Sequence, residues 1–388
     1  MAIKANETDG NLVISLEGRI DSVNAPQVEK DIFDITQDTD GETIEIDASG
    51  LEYISSAGLR VLMKLLQMKG EPIAIKNVSP AVYEILEVTG FTELFTVQKA
   101  LRNMSVDGLP VVGKGATGSV YRLDPETVIK VFRPEAKLEI IKMENERSRN
   151  AFLNGIPTAI AYDIVKVGEC YGSVYELLDA EDFLSVLKND KEHLGEHIKL
   201  FAQAMRKMHQ TEVDPKRFAP TKTGSLYVLD RLSGLCSEEE IGKLRVLYEN
   251  IPDRTTFLHG DCHPGNVMVR GGEFVFIDLM ACGSGHPIFD LCSMCAIYHL
   301  PHRPDTPLLE GFTEDEIRLI WDVYLRSYLE TDDGDVLARA ERQISAVSAA
   351  RSLFASVFVP GVISPERLAV LKGIALSYVD EGVEPIVF

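Results

Sequence analysis

Two aspartates and an asparagine stand close together in a pattern that suits phosphoryl transfer. Residues 256–269 read TFLHGDCHPGNVMV, and 274–279 follow as FVFIDL. An apolar strand delivers His259 and Asp261 into a loop, and Asn266 returns from it five residues after Asp261. A second apolar strand then ends at Asp278. Moving a phosphoryl group to a hydroxyl needs a carboxylate that orients the hydroxyl and accepts its proton, together with oxygen ligands for Mg²⁺. Asp261 fits the first task, and Asn266 and Asp278 fit the second. A polar turn joining two hairpin strands is the plainer alternative, but HxDxxxxN, a strand, then Ile-Asp is a constellation rather than a lone match. His259, Cys262 and His263 also suggest a metal site, although harder oxygen ligands fit phosphate chemistry better. Cys262 is a candidate for oxidation, with nothing in the sequence that lowers its pKa.

A second cluster lies upstream. Residues 112–121, VGKGATGSVY, form GxGxxGxV through Gly113, Gly115 and Gly118. Glycine triplets of this kind also occur in Rossmann turns, where a helix follows directly. Here 119–123 alternates like a strand, 124–126 turns, and 127–132 is a second strand carrying Lys130. A glycine loop bridging two hairpin strands, with a lysine in the next strand, is a protein-kinase-like arrangement. The glycines let backbone amides approach nucleotide phosphates, and Lys130 would hold the α- and β-phosphates. An exposed strand lysine is the alternative, but Val128, Ile129, Val131 and Phe132 mark a mostly buried segment. The helix expected over 137–153 offers Glu139, Glu144 and Glu146, either as partners for Lys130 or as solvated charges.

HGDxHxGN, then Ile-Asp, then the run 283–291 (GSGHPIFDL) resembles the aminoglycoside phosphotransferase and choline kinase group. The resemblance covers about 109–300 and implies a bilobal protein-kinase-like fold that uses ATP and Mg. Protein kinases usually carry arginine where Gly260 stands, and a long peptide-docking segment where only eleven residues separate Asp278 from Asp290. By this resemblance Glu144 pairs with Lys130, backbone groups around Glu176 to Leu178 meet adenine, and Asp290 braces the catalytic loop with His259. Helices expected at 314–329, 336–357 and 365–379 would help build the acceptor pocket. Their acidic residues Asp332, Asp333, Asp335 and Glu341 suit either a cationic acceptor or a solvated surface.

The first hundred residues alternate strand patterns (12–16, 43–47, 72–76) with helical ones (25–35, 57–68, 80–88), which predicts a small α/β layer structure. Residues 47–60, DASGLEYISSAGLR, resemble the signature loop of STAS domains, named for sulfate transporters and anti-sigma factor antagonists. That resemblance covers 1 to about 102. It implies a protein partner and maps a regulatory phosphorylation site onto Ser56, although Ser55 stands where many members have aspartate. Ser55 or Ser56 would in any case cap the helix beginning near Ala57, where the helix dipole also favours a phosphate.

The expected architecture is therefore α/β and α+β, with a STAS-like domain over 1–103, a kinase-like N-lobe over 104–180 and a helical C-lobe over 181–388. A net charge of −21 argues against nonspecific binding to nucleic acid or an anionic membrane. Apolar stretches are strand-sized and the N-terminus lacks a signal-peptide pattern, so a cytoplasmic protein is expected. Cys292 and Cys295 form the lone CxxC, and their spacing fits a buried helix face better than a metal site. The leading reading is an ATP- and Mg-dependent phosphotransferase acting on a small-molecule hydroxyl, with a regulatory or docking STAS module and a homodimer as one arrangement. A protein serine kinase acting on a STAS serine, and a nucleotide-binding scaffold with little turnover, are the alternatives.

Overall fold

Buried side chains alternate with exposed ones along the second strand, where Leu12, Ile14, Leu16 and Ile20 face inward, and this pattern lays down the first core. The computed structural model describes residues 1–8, 11–37, 43–115, 117–301, 306–359, 361–386 and 388. They divide into two units, Met1–Met104 and Ser105–Phe388.

The first unit is a five-stranded sheet in the order β1 (Ala2–Thr8), β2 (Asn11–Ile20), β3 (Thr43–Ile54), β4 (Ala74–Val78) and β5 (Thr96–Lys99). β1 is antiparallel to β2, and the remaining neighbours are parallel. Four helices accompany it: α1 (Ala25–Thr36), α2 (Ser56–Lys69), α3 (Pro80–Val88) and the short α4 (Phe91–Leu94). The inward-facing residues of β3 and the stripes of α1 and α2 meet in one core containing Ile46, Ile32 and Leu65. Two strands, β1 and β5, had no clear pattern in sequence. The stretch read as a signature loop is strand as far as Ile54 and helix from Ser56. The unit closes with a two-residue strand, β6 (Arg102–Asn103).

The second unit begins with antiparallel strands in the spatial order β10 (Ala161–Val167), β11 (Cys170–Glu176), β9 (Thr127–Phe132), β8 (Gly118–Arg122) and β7 (Val111–Lys114). α5 (Leu138–Leu153) packs on β10 and β11. The remainder is mainly helical: α6 (Phe183–Asn189), α7 (Leu194–Met208), α8 (Thr221–Leu229), α9 (Glu238–Glu249), α10 (Ile288–Tyr298), α11 (Glu314–Leu329), α12 (Gly334–Leu353), α13 (Ala355–Phe358) and α14 (Pro365–Glu381). The single helix expected over 336–357 is broken into α12 and α13 at Phe354. Between α6 and α10 lie the antiparallel hairpin β14 (Val267–Arg270) and β15 (Glu273–Phe276), extended on one side by β12 (Glu181–Asp182). The other small pair joins β13 (Phe257–Leu258) to β16 (Gly283–Ser284). Ile198, Phe201, Met205 and Met208 of α7 recur at helical spacing and are buried in the large helical core. Cys292 and Cys295 lie buried on α10, and the described residues hold no metal-ligating cluster of His, Cys, Asp and Glu.

Candidate active site

β13 is wholly buried, and its pairing with β16 fixes the point at which the chain enters the loop carrying Asp261. His259 follows with no solvent exposure. Its Nδ1 accepts the Asp261 N–H at 3.3 Å, and its Nε2 meets the Ile277 carbonyl at 3.1 Å. Burial holds its pKa below the ordinary histidine value, so the neutral ring accepts at one nitrogen and donates at the other. One ring thus ties the backbone of Asp261 to the residue before Asp278.

Gly260 must be glycine. Its φ is +86°, and an ideal Cβ there would lie 2.0 Å from the Ala281 carbonyl oxygen. Asp290 at the start of α10 receives the turned backbone: Oδ1 accepts from Gly260 N at 2.6 Å and Oδ2 from His259 N at 2.7 Å. His209, just past α7, adds a contact of 3.0 Å to Oδ2. Asp290 is fully buried, which opposes ionisation. The hydrogen bond and charge of His209, with His259 and the Gly260 N–H, outweigh this and keep its pKa below the ordinary value. Its carboxylate thus holds two successive N–H groups of the loop that carries Asp261.

The Asp261 side chain is 58% exposed and so open to solvent. Asn266 returns toward it, with Nδ2 donating to the Asp261 carbonyl at 2.9 Å and lying 3.4 Å from Oδ2. The Ile277 N–H donates to the Asn266 carbonyl at 3.0 Å, which holds the end of the loop beside Asp278. Asp278 has φ 60° and ψ 58°, a left-handed conformation uncommon for a non-glycine residue. Such a conformation persists where surrounding structure over-determines it.

Lys130 reaches this group from β9. Its Nζ lies 2.6 Å from Glu144 Oε1 and 3.8 Å from Asp278 Oδ1. Of the three acidic residues open in sequence, Glu144 is buried on α5 and takes the pair. The Tyr175 hydroxyl approaches the same carboxylate at 3.5 Å, and burial with the Glu144 charge pushes that hydroxyl well above its ordinary pKa. Gly113 lies on β7, and the Gly115 N–H donates to the Gly118 carbonyl at 2.9 Å to close the glycine turn. At Gly118 an ideal Cβ would meet the Val131 oxygen at 2.1 Å, so β8 and β9 approach only because no side chain intervenes. Glu176 ends β11 and Leu178 lies two residues beyond it. The Glu176 carboxylate is engaged by Arg270 at 3.2 Å, and the N–H groups of Glu176 and Leu177 donate to the carbonyls of Ile160 and Glu126 at 2.9 and 2.7 Å.

Several contributors gave no signal in sequence. His209 reads as the tail of an amphipathic helix, yet it touches Asp290 and the Tyr328 hydroxyl. Arg147 on α5 donates to the Met280 carbonyl just beyond Asp278. Arg351 on α12 donates to the carbonyls of Gly260 and Phe289. Their separation along the chain hides all three. Cys262 is buried with its thiol pKa pushed up, which removes the thiolate that ready oxidation needs. Two of the acidic C-terminal residues have local tasks: Asp333 caps α12, and Glu341 accepts from Trp321 at 2.8 Å.

In the first unit Ser55, not Ser56, is the α2 cap, accepting from the Gly58 N–H at 3.4 Å. Ser56 is the first helical residue and is exposed.

Comparison with known proteins gives two matches in series. Residues 2–104 match the STAS domain, and 108–327 match the phosphotransferase enzyme family, APH. BtrV of Bordetella bronchiseptica, a protein named for the anti-sigma factor antagonists, is 36% identical over 102 residues, covering 25% of this chain and 85% of its own. The anti-sigma F factor antagonist of Paenibacillus polymyxa is 25% identical over 100 residues, covering 25% and 86%. Among solved structures, ADP-bound aminoglycoside phosphotransferase APH(2'')-Ib is 15% identical with a TM-score of 0.46, covering 73% of this chain and 95% of its own. The chain belongs to the APH phosphotransferase enzyme family and carries a STAS domain ahead of that fold.

Proposed function

We propose that the chain transfers the γ-phosphoryl group of ATP to a hydroxyl of a small molecule, with Mg²⁺ as cofactor. The observation that carries this is the joined set Asp261–Asn266–His259–Asp278–Lys130–Glu144, linked by hydrogen bonds and ion pairs. The donor chemistry fits the metal. Asn266 spends its amide nitrogen on Asp261, which leaves its amide oxygen, and Asp278 offers a partly exposed carboxylate. Both are hard oxygen donors of the kind Mg²⁺ takes alongside phosphates and water. When bound, the ion neutralises charge on the phosphates and draws off charge as the leaving bond breaks.

Lys130, held by Glu144, binds the α- and β-phosphates, while the glycine turn offers amides and the Glu176–Leu178 backbone receives the base. Asp261 orients the acceptor hydroxyl and takes its proton as that oxygen bonds to the γ-phosphorus and the bond to ADP breaks. His259 and Asp290 hold the loop still while this happens. The STAS domain docks or regulates through a protein partner, in keeping with the relatives it resembles.

The test is ADP release from Mg-ATP across a panel of small hydroxylated amines and sugars. Asp261→Asn should lower turnover by roughly 10²–10⁴-fold, with ATP affinity nearly unchanged. ATP binding without any Asp261-dependent turnover would move the function to a scaffold. A second reading has one observation in its favour: Ser56 is exposed on the first turn of α2, where helix N–H groups favour a phosphate. Phosphate appearing on Ser56 only when Asp261 is intact would make the STAS domain a substrate.

A further inference from the structure

The backbone of Gly260 is gripped on both sides, at its N–H and at its carbonyl, and one grip comes from α12. Asp290 accepts the Gly260 N–H at 2.6 Å, while the Gly260 carbonyl accepts from the Arg351 guanidinium. The other terminal nitrogen of Arg351 donates to the Phe289 carbonyl. A single planar fork therefore spans the two carbonyls that immediately precede Asp261 and Asp290. Among the described residues no carboxylate pairs with Arg351, so there its charge is directed at main-chain oxygens. The Ala281 carbonyl also packs against this turn, in the space a Gly260 Cβ would need. Arg351 also lies beyond residue 327, where the family match ends.

We propose that Arg351 is a positioning residue for Asp261: it fixes the direction of the Gly260–Asp261 peptide and thereby the placement of the carboxylate against the acceptor hydroxyl. The inference rests on Asp261 being the proton acceptor. The two terminal nitrogens of one fork serve carbonyls on two separate segments, whereas a lysine ammonium is a point charge without fork geometry. A contact that merely ties α12 to the loop would lower stability and leave turnover of the folded enzyme alone. A positioning contact changes kcat.

The experiment uses the full chain as wild type, Asp261→Asn, Arg351→Met and Arg351→Lys. Each is assayed for ADP release from Mg-ATP with the responsive acceptor, or with water where none responds, and for ATP affinity and thermal unfolding. Well below its unfolding midpoint, Arg351→Met should lose on the order of 10–100-fold in kcat, since displacements of about 1 Å carry costs of that size. Its ATP affinity should stay within about twofold, and Arg351→Lys should recover part of the loss. A folded Arg351→Met with wild-type kcat overturns the proposal, and so does a loss seen only as a raised KM for ATP. If Arg351→Met does not fold, the same split of kcat against KM in Arg351→Lys decides. A wild type with no Asp261-dependent ADP release brings down the catalytic reading itself, a result distinct from an active wild type whose Arg351 variants match it.

Discussion

Lys130 and Glu144 show how much one pair can be made to do at the level of single residues. Glu144 is 6% exposed at its side chain and Lys130 15%, so removing either charge strands the other out of water. Lys130→Met should therefore weaken both ATP use and the fold, the latter by about 3–5 kcal/mol on the scale of broken buried pairs. The double variant Lys130→Met with Glu144→Gln should regain part of that stability without regaining turnover, and chemical denaturation beside an activity assay separates the two. The buried histidines set the acid limit. His286 has its pKa lowered to about 4, chiefly by burial and then by the Arg254 charge, and His259 is lowered by burial as well. A histidine with a depressed folded pKa stabilises the protein fully above its unfolded value of 6.5 and loses that contribution as pH falls toward the folded value. Each contributes at most about 1.4 kcal/mol per pH unit across that window. Asp290, also depressed, adds its own loss only below the ordinary carboxylate range. Unfolding midpoints should thus drop steadily from pH 6.5 to about 4, and a flat profile would contradict the burial argument.

Elements hold these residues where they are, and their ends are written locally. α9 and α11 each begin with a complete capping box, Ser237 with Glu240 and Thr313 with Glu316. Thr313→Ala should cost about 1 kcal/mol of stability, since one N–H of the first turn loses its acceptor. Phe201→Ala in α7 should cost about 3–5 kcal/mol, because its ring is fully buried against Phe183, Phe274 and Tyr324. Equal losses in the two variants, measured by denaturant midpoints, would mean the helical core relaxes around the cavity. The periodicity of α7, α11 and α14 was legible because an apolar stripe is a local pattern. β1 and β5 were not, because these edge strands bury little and their own alternation is weak. The break between α12 and α13 lay equally beyond a reading by periodicity.

At the scale of the whole molecule, two hydrophobic cores form without sharing residues, one in Met1–Met104 and one in Ser105–Phe388. Each should fold by itself, so residues 1–104 expressed alone should give a cooperative melt, and calorimetry of the full chain should resolve more than one transition. An unfolded 1–104 fragment would show that the first core needs the rest of the chain. The sequence by itself determined the two kinds of fold, the HxDxxxxN loop, the pairing of Asn266 with Asp278 as candidate oxygen donors, and the glycine turn. All of these rest on residues near one another in the chain, where backbone geometry ties spacing to position. Tertiary structure alone decided that Glu144 rather than Glu139 or Glu146 meets Lys130, that Arg147 and Arg351 reach the loops around Asp261 and Asp278, and that His209 reaches Asp290. Those contacts join segments brought together only by core packing, and a side chain's partner across such a gap leaves no periodic trace in the sequence.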